Sequence, residues 1–132
     1  MPQEDALAVV LAWQEAANAP DIDRLIALSD ANIEIVGPRG SGFGQQLLRD
    51  WMARAGLTLE ALRAFARGET VVLEQRGIWR SLETGEVTGD RALASVFHVK
   101  HGHVIRFARY ESLDAALEAA ELDQSDERTM AI

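Results

Sequence analysis

Three histidines stand close together in this chain, at His98, His101 and His103. The spacing His-x-x-His-x-His could offer three imidazoles to a metal ion. But His98 falls in the middle of a strand-like stretch, whereas His101 and His103 flank a turn, so the three rings have no need to converge. No metal is expected. His98 lies between Phe97 and Val99 and is the histidine best placed to act as an acid or base. Two carboxylates could take the same role. Glu34 sits between Ile33 and Ile35, and Asp50 follows Arg49 in a helical stretch. Arg91 and Arg109 complete the polar set, and Glu34 with one arginine could hold a water. The plainer expectation is that Glu34, Arg91 and Arg109 are solvent-side residues between buried neighbours, which strand alternation alone produces.

Other chemistries are excluded. There is no cysteine, hence no disulfide, thiolate nucleophile or cysteine metal site. The run Gly37-Pro38-Arg39-Gly40-Ser41-Gly42-Phe43-Gly44 lacks the lysine and hydroxyl residue of a phosphate loop and is no dinucleotide fingerprint. No cofactor is expected. The formal charge of −8, from 21 acids against 13 bases, repels phosphate backbones, so no nucleic-acid partner is expected. The acids crowd the last quarter, from Glu111 to Glu127, and read as a solvated face. No run of about 18 apolar residues exists to span a membrane. Met1-Pro2-Gln3-Glu4-Asp5 lacks the basic start of a signal peptide, and the expected location is cytoplasmic.

The elements that must position these groups follow from periodicity. The 132 residues are enough for one domain with its own core. Residues 6–17 carry Leu7, Val10, Leu11 and Ala17 at helical spacing. Pro20 ends that helix, and Asp21 caps a second over 22–29. Residues 32–36 read as a strand, 37–44 as a loop with no regular element, and 45–55 as a helix stopped by Gly56. Strands follow over 57–66, 70–80, 88–99 and 103–110, joined by tight turns. A short helix over 113–122 closes the core, and 123–132 is expected to fray. The fold class is α+β, with helices covering one face of a curved antiparallel sheet.

This order resembles the nuclear transport factor 2-like superfamily, and within it the SnoaL-like proteins. Four segments carry the likeness: Ala19-Pro20-Asp21-Ile22-Asp23-Arg24-Leu25 between two helices; Leu28-Ser29-Asp30-Ala31-Asn32-Ile33-Glu34-Ile35 leading into a strand; Gly42-Phe43-Gly44 before the third helix; and the closing hairpin from Val96 through His101-Gly102 to Tyr110. The resemblance implies a cone-shaped sheet packed on three N-terminal helices, and a homodimer formed through the sheet face. It places Trp13 and Trp51 near the cavity mouth.

The superfamily hosts many reactions, so the fold alone assigns none. In its ketosteroid isomerases an aspartate acts as base, with a tyrosine and a protonated aspartic acid as partners. The corresponding positions here fall at Ile35, Trp13 and Ser95, and the roles are missing. No register supplies the Asp-Arg-Asp set of the epoxide hydrolases of this fold. The Asp-His chemistry of the cyclases leaves His98 to be tested. The aromatics Phe43, Trp51, Trp79, Phe97 and Tyr110, with Trp13, Ile35 and Ser95, are therefore expected to line an apolar pocket. Three roles remain open: a pocket protein for a small apolar or weakly polar molecule; an isomerase-, cyclase- or hydrolase-like enzyme using Glu34, Asp50 or His98; and a dimeric structural domain.

Overall fold

The computed structural model describes residues 6–19, 21–37 and 40–129. Helix α1 (Ala6–Asn18) buries Leu7, Val10 and Ala17 of the stripe its spacing predicts, together with Trp13, while Leu11 is only partly buried. Helix α2 (Ile22–Ala27) starts at Asp21, whose carboxylate accepts a hydrogen bond from the Arg24 amide at 3.2 Å. It ends two residues earlier than expected. Ser29 already pairs with Val104, and the Leu28 carbonyl accepts from the Val104 amide at 2.8 Å, so sheet pairing captures the chain. The chain continues with strand β1 (Ser29–Gly37), strand β2 (Gly40–Phe43) and helix α3 (Gln45–Ala55). Strands β3 (Leu57–Arg67), β4 (Thr70–Arg80), β5 (Val87–Lys100) and β6 (His103–Tyr110) form the main sheet. Helix α4 (Leu113–Ala120), a 3-10 turn (Gln124–Asp126) and strand β7 (Glu127–Arg128) finish the described chain.

The spatial order is β2-β1-β6-β5-β4-β3-β7. Three expectations need correction. The sheet is not wholly antiparallel, because β1 runs parallel to β6. The glycine-rich stretch is not all loop, because Gly40–Phe43 pairs back on Glu34–Gly37 as an edge strand. The tail is not frayed throughout: Arg67 holds Asp126 at 2.7 Å and Arg63 holds Glu127 at 2.8 Å, which docks β7 on β3. Met1–Asp5, Pro20, Pro38-Arg39 and residues 130–132 lie outside the described residues.

Strand β3 is written in helix-favouring residues, Leu-Thr-Leu-Glu-Ala-Leu-Arg-Ala-Phe-Ala-Arg. Propensity differences among such residues are a few tenths of a kcal/mol each. Burying one Phe65 side chain is worth about 2 kcal/mol, and Ala64, Phe65 and Ala66 are all buried. Three buried residues in a row require cover on both faces. One face packs on α1 through Ala64, Ala66, Val71, Leu73, Phe97 and Val99. The other packs on α4 through Phe65, Val72, Ala94, Val96 and Leu117. We call the first the inner face and the second the outer face.

Candidate functional site

The inner face is filled at its floor. Trp13 is fully buried, with its ring 5.5 Å from Phe97 and 5.2 Å from Phe107. Its indole N–H donates to Ser29 Oγ at 2.8 Å, and that hydroxyl donates to the Leu25 carbonyl at 2.7 Å. Beside it a second polar chain is buried. The Gln75 amide donates to Gln14 Oε1, and Ser95 Oγ donates to Gln75 Oε1 at 2.7 Å. Among the described residues no buried side-chain polar atom lacks a partner. Trp13, Ser95 and Phe97, expected as pocket lining, are core instead, because aromatic rings occupy the space a ligand would need.

Open space begins further out. One cleft of about 370 Å³ lies between the end of α1 and the starts of β3 and the β4–β5 turn, with Ala17, Trp51, Leu57, Leu59, Arg80 and Leu82 in its wall. A second, of about 520 Å³, is lined by Ile35, Val36, Gly37, Trp51, Phe107 and Arg109. Trp51 belongs to both. Two local devices hold this rim. Asn18 donates to the Leu59 carbonyl at 2.7 Å and accepts from its amide at 3.0 Å, which fastens α1 to β3. Gly56 closes α3 with φ +54, and its carbonyl accepts from the Arg80 amide at 2.8 Å.

Trp79 lies across the sheet beside these clefts. Its ring passes over Gly77 and Gly89, two positions where a Cβ would come within 3.0 Å and 3.3 Å of the indole. The Arg91 guanidinium sits 5.2 Å from the Trp79 ring and that of Arg109 5.8 Å. Burial, and then the charge of Arg91, pull the Arg109 pKa below its usual value. Among the described residues no carboxylate forms an ion pair with Arg80, Arg91 or Arg109. Asp90, the neighbour of Arg91 in sequence, pairs with Arg76 at 2.6 Å.

The expected proton-transfer residues are elsewhere. Register places Thr70, His98, Arg106 and Glu34 in one row across β4, β5, β6 and β1. The row shares the outer face with α4, since it alternates with inward Phe97, Phe107 and Ile35. Arg106 Nε donates to Glu34 Oε1 at 3.1 Å, and His98 Nδ1 lies 3.4 Å from Thr70 Oγ1. Burial chiefly, then Arg106, lower the His98 pKa, while Glu34 opposes them. Asp50 is exposed on α3 and accepts from Gln46 at 3.0 Å. His101 and His103 lie at the hairpin tip, and among the described residues no three His, Asp or Glu side chains could gather a metal.

Of the expected lining residues, Ile35 and Trp51 border the larger cleft, and Trp79 borders a shallower one of about 320 Å³ with Thr88, Gly89, Asp90 and Arg91, the Asp90 carboxylate being held by Arg76. Phe43 is 66% exposed on the edge strand, opposite Glu34 and so on the outer side. Tyr110 packs on the α4 cluster. Both are corrected by register. Phe107, one of the aromatics suited to lining an apolar cavity, and Arg109, expected on the solvent side, also line the larger cleft. Their signal was Phe107-x-Arg109, an alternation that puts the arginine on the face of its aromatic neighbour.

No family model matches the sequence, and no curated protein matches it. Solved structures do match. A nuclear transport factor 2-like protein of unknown function from Cytophaga hutchinsonii is 18% identical, covers 86% of this chain and 96% of its own, and gives a TM-score of 0.71. A candidate polyketide cyclase from Xanthomonas campestris is 20% identical, with 86% and 94% covered and a TM-score of 0.70. Bal32a, from a soil-derived mobile gene cassette, is 21% identical, with 89% and 97% covered and a TM-score of 0.73. The chain has the nuclear transport factor 2-like fold. Identities this low speak to the fold and leave the chemistry to the residues themselves.

Proposed function

We propose that this chain binds a small, flat, largely apolar molecule at the mouth of the cone. The observation that carries the reading is the pair of clefts, about 370 and 520 Å³, that meet at Trp51 beneath walls of Leu57, Leu59, Ile35 and Phe107. Pockets for small molecules are of this size and are mostly apolar with a few placed polar groups. Proton transfer to a molecule held there would need a titratable acid or base facing it. Glu34 and His98 lie on the opposite face of the sheet, and Asp50 lies on the exposed side of α3. That placement supports binding over the enzymatic alternative.

The test is a titration with the uncharged fused-ring probe 2-naphthamide, followed by amide and indole nuclear magnetic resonance. Shifts at Trp51, Leu57, Leu59 and Phe107 are expected, with little change at Tyr110 or His98. Shifts confined to the outer face would overturn the placement.

A further inference from the structure

We propose that the mouth selects for an anion: the molecule it holds carries a carboxylate, phenolate or enolate, which Arg109 binds with Arg91 beside it. This rests on the reading of the clefts as a binding site and adds the chemical class of what they take. Arg109 is the cation in the wall of the larger cleft, whose other lining is Ile35, Val36, Trp51, Phe107 and two glycines. An apolar slot ending in a guanidinium fits a flat body with an acidic head. A guanidinium also matches a carboxylate with two parallel N–H donors.

The second observation is the missing counterion. The chain carries a net −8, yet Arg80, Arg91 and Arg109 meet no carboxylate among the described residues. The acids on the neighbouring strands are already used on the outer face, Asp90 by Arg76 and Glu34 by Arg106. Two guanidiniums on one indole repel each other, and Arg109 is half-buried as well. Ring contact with Trp79 orders both but leaves their charge unneutralised. An incoming anion would neutralise it, and among the described residues no carboxylate pairs with either guanidinium.

Trp79 can lie along the sheet because Gly77 on its own strand and Gly89 on the neighbouring one present no Cβ to lift it. Its ring then meets Arg109, in the wall of the larger cleft, and Arg91, in the shallower cleft that Trp79 borders.

The experiment compares 2-naphthoate with 2-naphthamide, which share a ring system and differ in charge. Wild type is expected to bind the naphthoate about 10-fold or more tightly, with the preference shrinking as salt rises. Arg109→Gln should weaken naphthoate about 10- to 100-fold and leave naphthamide within about twofold. Arg91→Gln, at a more exposed position, should weaken naphthoate about 3- to 10-fold and serves if the Arg109 variant does not fold. Equal binding of the two probes by wild type, or an unchanged preference in the arginine variants, overturns the anion assignment and leaves the apolar pocket standing. Binding of neither probe overturns both.

Discussion

Gly56→Ala tests whether the rim of the clefts depends on one backbone junction. Gly56 has φ +54, and an added Cβ would lie 2.4 Å from the Arg80 carbonyl oxygen, against the 3.0 Å that real Cβ atoms essentially never breach. The left-handed conformation costs alanine about 1 kcal/mol. The contact is with backbone, so no side chain can swing away. Relief requires parting α3 from β4, which strains or breaks the Arg80 amide to Gly56 carbonyl bond of 2.8 Å. Lost hydrogen bonding of about 1 kcal/mol and overpacking of about 1–3 kcal/mol bring the cost to about 3–5 kcal/mol. Gly68 supplies the control. Its φ is +60, but a Cβ there meets nothing within 4 Å, so Gly68→Ala should cost only the conformational part, about 1 kcal/mol. Urea unfolding of both variants, at unchanged m-value, measures the difference. Gly56→Ala should also weaken naphthamide binding, because Gly56 and Trp51 share a cleft wall. Equal destabilisation by the two substitutions would refute the clash and with it the claim that this junction sets the rim.

Trp13→Phe removes the 2.8 Å bond to Ser29 and leaves a void at the floor, so a loss of about 2–3 kcal/mol is expected in denaturant titration. Ligand affinity should stay within about twofold, and a large drop would return Trp13 to the pocket wall. His98 is half-buried among Thr70, Arg106 and Glu34, and its pKa lies below the ordinary 6.5. The unfolded chain then takes up a proton that the folded chain resists. The stability His98 contributes is present above pH 6.5 and is lost as pH falls through that value toward the folded pKa. His98→Asn should flatten this part of the pH–stability curve, and an unchanged slope would assign it to other groups. We propose a homodimer through the outer sheet face beside α4, with Phe43 exposed there; sedimentation should then give twice the 14.5 kDa chain mass, and a monomer at micromolar concentration would sink the proposal.

Much of the fold was legible because its signals are local. Asp21 before Ile22 marks a cap, Gly56 marks a helix end, and the turn at His101-Gly102 marks a hairpin. Each element was visible from periodicity within its own few residues. Even the helix-rich letters of β3 were readable as strand from the turn at Gly68 that follows them. The exceptions needed distant partners. Ser29 is strand because Val104 pairs with it, Gly40–Phe43 because β1 offers an edge, and Glu127–Arg128 because Arg63 and Arg67 reach across to the tail.

The site was less legible for a definite physical reason. Alternation told that Glu34 opposes Ile33 and Ile35, and that His98 opposes Phe97. It could not tell which face carries the clefts, because each face carries a buried apolar cluster under a helix, α1 on one and α4 on the other. A period of two assigns residues to sides but does not name the sides. The sequence by itself determined an α+β domain with one aromatic-rich face and no evident catalytic set. Only the tertiary structure decided that Trp13, Phe97 and Ser95 close the floor, that Glu34 and His98 turn away, and that Arg109 stands in the wall of the larger cleft with no carboxylate paired to it among the described residues, since that choice is made by which helices dock on which face.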